Sequence, residues 1–139
     1  MSSKRLDNFG KINRDKVISF TWENKNYFGY DGDSIASALL ANNIKIVGRS
    51  FKYHRPRGIM SCGVEESGGL ITVGNHDKKD PNIRATTQEL YQGLVAKGQN
   101  AFPNVNFDFG EINNYLSRFF VAGFYYKTFM GIPPFEWGK

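Results

Sequence analysis

The chain has 139 residues, of which 40% are hydrophobic and 22% charged, room for one packed core and an argument against both a two-domain protein and a wholly disordered one. Its 18 Lys and Arg against 13 Asp and Glu leave a net charge of +5, which permits phosphate, nucleic-acid or acidic protein partners and selects none of them. A single cysteine, Cys62, excludes an internal disulfide framework and fits a reducing cytoplasm, while the absence of an apolar h-region and of any run of ~18 apolar residues gives no sign of a secretory signal or a membrane span.

In chain order, residues 1–16 are polar and unpatterned and read as an N-terminal arm. From Val17 to Glu23, β-branched and aromatic residues alternate with polar ones, and after Asn24-Lys25-Asn26 the pattern resumes at Tyr27 to Tyr30, which predicts a β-hairpin. Asp33 or Ser34 can cap a short helix that begins at Ile35, with Ile35, Ala38 and Leu39 on one face and Asn42 or Asn43 as its stop. Ile44 to Val47 reads as a short strand and Gly68 to Gly74 as another, Asn75 to Asn82 as an exposed turn, and Thr87 to Val95 as a short amphipathic helix. Hairpin, helix and further strands make an α+β chain with the element order of a β-grasp, or ubiquitin-like, domain over residues 17–98. Residues 99–139 form an aromatic-rich extension; Phe119 to Met130 holds six aromatic rings in twelve positions, including Phe119, Phe120, Phe124, Tyr125 and Tyr126. Rings in that number either complete the core or bury against a partner.

The segment Gly48 to Gly58 sets Arg49, Lys52, His54, Arg55 and Arg57 among the rings of Phe51 and Tyr53. Guanidinium and ammonium groups can hold phosphates while the rings stack, so an anion or single-stranded nucleic acid is one reading, and a solvated or interfacial basic loop is the other. A two-iron cluster takes four cysteine thiolates and this chain has one. His54 and His76 are too few for a zinc site with Cys62, and no glycine-rich phosphate cradle is present. Glu65 and Glu66, adjacent in sequence, would point apart on a strand and do not suggest an acid/base pair. No catalytic, cofactor-binding or metal-ligating residue is assigned.

The runs Asp33 to Asn42 and Val47-Gly48-Arg49-Ser50-Phe51-Lys52-Tyr53-His54-Arg55-Pro56-Arg57-Gly58-Ile59, then Pro81 to Thr86, Glu89 to Tyr91, Gly93 to Ala96 and Phe119 to Met130, resemble in one continuous order the N-terminal segment of the alpha subunit of heterotetrameric sarcosine oxidase. The resemblance implies a ferredoxin-like β-grasp module ahead of a dinucleotide-binding domain. Related dehydrogenases keep cluster cysteines there; in the loop Met60 to Gly68 only Cys62 stands. It implies membership in a cytoplasmic complex that oxidatively demethylates sarcosine with FAD, FMN, NAD and tetrahydrofolate, all bound outside this chain, and partners in the remainder of alpha and the other subunits. On that reading the chain is a fragment, an expressed domain or a split gene product. Its basic residues from Arg49 to Arg57 and its aromatic tail are then docking surfaces on a non-catalytic scaffold, and an independent nucleic-acid-binding module is the alternative.

Overall fold

The first strand, β1 (Asn13–Trp22), turns its alternate residues Ile18, Phe20 and Trp22 into the core, as a period of two requires. The computed structural model describes residues 4–7, 9–75 and 78–119. Glu23 and Asn24 both take positive φ, 47° and 63°, the two-residue turn whose twist suits a hairpin. The chain then returns as β2 (Lys25–Asp31), antiparallel, with Trp22 opposite Lys25 and Phe20 opposite Tyr27. The strand thus begins at Asn13, inside the polar arm, because its first residues are exposed, with Asn13 opposite Asp31 of β2, and need no apolar pattern.

Helix α1 (Ile35–Ala41) is capped by Ser34, whose hydroxyl accepts the Ser37 N–H at 3.2 Å. Asp33 instead faces inward, accepting the Tyr30 N–H and the Ser37 hydroxyl and pairing with the Arg5 guanidinium. Ile35, Ala36, Ala38 and Leu39 are buried, and Asn43, at φ 61°, ends the helix.

Three expected elements differ. Ile44 to Val47 is not a strand; the pairing falls one step later, where β3 (Gly48–Arg49) meets β4 (Pro56–Arg57) in a two-stranded ribbon that frames the basic turn. After β5 (Leu70–Asn75), the segment expected as a turn forms β6 (Lys78–Arg84), antiparallel to β5. Almost every β6 side chain is exposed, so no alternation marks it; its lysines and Pro81 belong to an outer strand protected against further pairing. Thr87 to Val95 is not helical. Leu90 and Leu94 are buried, but the backbone bonds of this stretch run elsewhere: the Leu90 N–H to the Asp33 carbonyl, and the Ile35 N–H to the Gln88 carbonyl.

The stretch leads into β7 (Val95–Gly98), parallel to β1 and antiparallel to β5. The five-stranded order is β2-β1-β7-β5-β6. With α1 against the sheet, this is an α+β, β-grasp fold. Phe20, Trp22, Leu39, Val47, Ile71 and Leu94 fill the core. Among the described residues no helix is long and apolar enough to cross a membrane.

Residues 99–119 fold back on the β3–β4 ribbon. The Arg49 N–H donates to the Gln99 carbonyl at 2.9 Å, and Val105, fully buried, joins the core cluster. Asp108 caps a 3-10 turn, Phe109–Glu111, by accepting the Gly110 N–H, and α2 (Ile112–Tyr115) follows.

Candidate functional site: the Glu66 loop and the basic turn

Between Gly58 and Gly69 the chain makes a loop whose two arms are held together by one side chain. Glu66, 1% exposed, points inward. One carboxylate oxygen accepts the Met60 and Ser61 N–H groups at 2.7 and 2.6 Å, and the other accepts those of Gly68 and Gly69 at 2.5 and 2.9 Å. Burial by itself raises the Glu66 carboxyl, but the N–H groups of Ser61, Met60, Gly68 and Gly69 outweigh it and hold the group below the ordinary glutamate value. The sequence permits so close an approach because residues 68 and 69 lack side chains: a Cβ at Gly69 would lie 2.6 Å from Ile59 Cδ1 and 3.1 Å from Glu66 Cγ. Behind the loop, Arg84 Nε donates to the Glu66 carbonyl at 3.2 Å and the Thr86 hydroxyl to the Gly63 carbonyl at 2.6 Å. Cys62 lies on the outward excursion between the arms and is exposed.

The basic turn adjoins this loop across an open groove lined by Phe51, Arg57, Ser67, Gly68 and Asn100. Its residues are used in different ways. Arg49 is buried; its Nε donates to the Val105 carbonyl and its Nη1 to the His54 carbonyl, both at 2.9 Å, with Glu111 Oε2 3.3 Å away. His54 Nδ1 meets Asp108 Oδ2 at 2.7 Å. Burial pushes the Asp108 carboxyl up, yet the Phe102 N–H, the His54 ring and the Gly110 N–H together hold it below the ordinary aspartate value. Arg55 donates to Asn114 Oδ1 at 2.9 Å, and its guanidinium and the Lys52 ammonium lie 4.8 and 4.9 Å from the Tyr53 ring centre. Arg57 is exposed on the groove wall. The structure therefore brings Arg49, His54 and Arg55 together as ties to residues 105–114. Lys52, Tyr53 and Arg55 form a surface stack. Phe119 is 80% exposed; Phe120, Phe124, Tyr125 and Tyr126 lie outside the described residues.

Sequence reasoning passed over two residues. Asp108 carried no signal beyond its place before a phenylalanine and a glycine. Glu66 was set aside with Glu65 as a pair that would point apart on a strand and do no acid/base work, although Glu-Ser-Gly-Gly offers a carboxylate two unhindered N–H groups just downstream.

Residues 15–101 match the model of a family described as the 2Fe-2S iron-sulfur cluster binding domain. The chain belongs to that family. Within it, this chain is similar over all 139 residues, at 52% identity, to the sarcosine oxidase subunit alpha of Rhizobium meliloti (strain 1021), and spans 14% of that subunit's length. The corresponding subunit of Corynebacterium sp. (strain U-96) is 43% identical over 89 residues, 62% of this chain and 9% of the relative. The likeness to sarcosine oxidase alpha subunits expected from the sequence is therefore present in these relatives. A crystal structure of L-proline dehydrogenase from P. horikoshii superposes with a TM-score of 0.50 at 22% identity, covering 66% of this chain and 17% of its own. It shares the fold.

A two-iron cluster is the group this family's description implies, and the residues here do not fit it. Such a cluster is held by four thiolates; this chain has Cys62 alone. Among the described residues no three His, Cys, Asp or Glu side chains are grouped to hold a metal ion. The interior of the Cys62 loop, moreover, is filled by the Glu66 carboxylate.

Proposed function

We propose that this chain is a non-catalytic β-grasp scaffold of a sarcosine oxidase alpha subunit, contributing interface and not chemistry to a heterotetramer that oxidatively demethylates sarcosine. The observation that carries the reading is the 52% identity over the whole chain to an alpha subunit of which it spans 14%. The match runs over the full length of the chain, and so takes in the loop, the basic turn and the extension. The lone thiol and the occupied loop support a role without a redox centre of its own. FAD, FMN, NAD and tetrahydrofolate then belong to other parts of the complex, and the lone exposed Cys62 favours a cytoplasmic setting.

On this reading the basic turn and the exposed rings of Phe102, Phe107, Phe109, Tyr115 and Phe119 face the rest of alpha and its partner subunits. The nucleic-acid alternative is weaker, because Arg49 Nε, His54 Nδ1 and Arg55 Nε are already engaged with Val105, Asp108 and Asn114. The test is co-purification of the tagged chain with the other subunits of the complex, together with an assay of sarcosine-dependent oxygen uptake by the chain alone. Association without turnover is the expected outcome. Turnover by the chain alone would sink the proposal, as would nucleic-acid binding with a steep salt dependence in place of subunit association.

A further inference from the structure

We propose that Glu66 is a built-in anionic ligand of the Cys62 loop: its carboxylate fills the N–H cradle at the loop's centre, so that in this member of a cluster-binding family a side chain, and no metal cluster, gives the loop its shape. The inference does not depend on the sarcosine oxidase reading and holds for the chain in any complex.

The geometry is that of a ligand in its site. A carboxylate has about four lone-pair positions, and all four are met by main-chain N–H groups, two from each arm. Each oxygen serves one arm, Met60 and Ser61 on one side and Gly68 and Gly69 on the other, so the group bridges a gap the backbone does not close itself. Among the described residues no side-chain cation is paired with the carboxylate. Arg84 Nε donates to the Glu66 main-chain carbonyl, not to the carboxylate. The negative charge is balanced by converging N–H dipoles, the arrangement by which backbone nests hold phosphates and iron–sulfur sites. Cys62, the single possible thiolate ligand, is turned outward to solvent and takes no part.

If the carboxylate is a ligand, its removal leaves a vacant anion site, and a small free carboxylate should refill it. The measurement is hydrogen–deuterium exchange over residues 59–70 of the full chain, with the β1–β2 hairpin as internal reference. Glu66→Ala should speed loop exchange by about tenfold or more while the hairpin is unchanged. Formate should slow it again in a saturable way, and formamide, neutral and of the same size, should not. Should the alanine variant fail to fold, Glu66→Gln keeps the shape but turns an NH2 toward one arm, and the Met60–Ser61 or Gly68–Gly69 amides should then exchange faster. Unchanged exchange in both variants overturns the proposal. So does an opening that formate and formamide reverse equally or that neither reverses, and so does a stoichiometric cluster with visible absorption after reconstitution of the unmodified chain with iron and sulfide.

Discussion

His54 Nδ1 lies 2.7 Å from Asp108 Oδ2, a contact that joins the basic turn to the extension across a separation of 54 residues. The Asp108 side chain is fully buried, and its other oxygen accepts the Phe102 and Gly110 N–H groups at 3.0 and 3.1 Å. Removing the carboxylate strands all three donors. Asp108→Ala is therefore expected to destabilise the chain by ~3 kcal/mol in urea titration, and His54→Ala by about half of that, since it leaves the two backbone bonds in place.

Gly110 tests the same contact from the other side. A Cβ there would lie 2.2 Å from His54 Nδ1, so the ring would have to leave Asp108 to make room. Gly110→Ala should cost about 2 kcal/mol. In the His54→Ala background, where the obstructing ring is gone, most of that loss should disappear, which a double-mutant cycle reads directly.

Acid stability follows from two lowered carboxyls. Glu66 and Asp108 both have folded values below their ordinary 4.5 and 3.8. A depressed carboxyl contributes its stability in full above the unfolded value and loses it as pH falls through the folded one. The melting temperature should thus hold from neutrality down to about pH 5 and drop steeply below about pH 4, and Glu66→Gln should flatten that acid limb while lowering the plateau.

Glu23 has the opposite sign. Burial raises its carboxyl against the opposing pull of the Gly98 N–H and the Lys97 charge. A raised folded value gives stability that is present below the unfolded value and lost as pH rises through the folded one. Glu23→Gln keeps an acceptor for the Gly98 N–H, 2.8 Å away in the native chain. The variant should be more stable than the native chain at neutral pH, and the difference should vanish as pH falls below the ordinary value of 4.5.

The exposed rings should separate folding from association. Phe107 and Phe109 meet edge to face at 5.2 Å and are both largely exposed. Phe107→Ser with Phe109→Ser should change the chain's melting by little, about 1 kcal/mol or less. On the scaffold reading the same pair should weaken co-purification with partner subunits by about tenfold or more.

The hairpin, α1 and β5 were legible because each carries its own pattern: alternation into the core at Ile18, Phe20 and Trp22, a Ser34 cap ahead of an apolar face, and a glycine-bounded β-branched run. β6 was hidden because a strand exposed on nearly all sides, with Pro81 in it, has no pattern to show. β7 lay behind Leu90 and Leu94, whose i,i+4 spacing imitates a helix face although the two are buried from a non-helical stretch. At the site, the cluster of basic residues was visible, but composition could not show that Arg49 and His54 are tied to Val105 and Asp108, partners more than fifty residues away. Glu66 was the hardest to see. An acidic residue among glycines has the look of a solvated turn until the N–H groups of both arms are found around it.

The placement of β7 between β1 and β5 has a consequence for synthesis. As the polypeptide leaves the ribosome, the β1–β2 and β5–β6 hairpins emerge first, and neither touches the other through the sheet. Only when Val95 to Gly98 is released does the wedge that joins them arrive. Until then the nascent chain carries two unjoined ribbons with bare inner edges, a period in which a chaperone has most to protect.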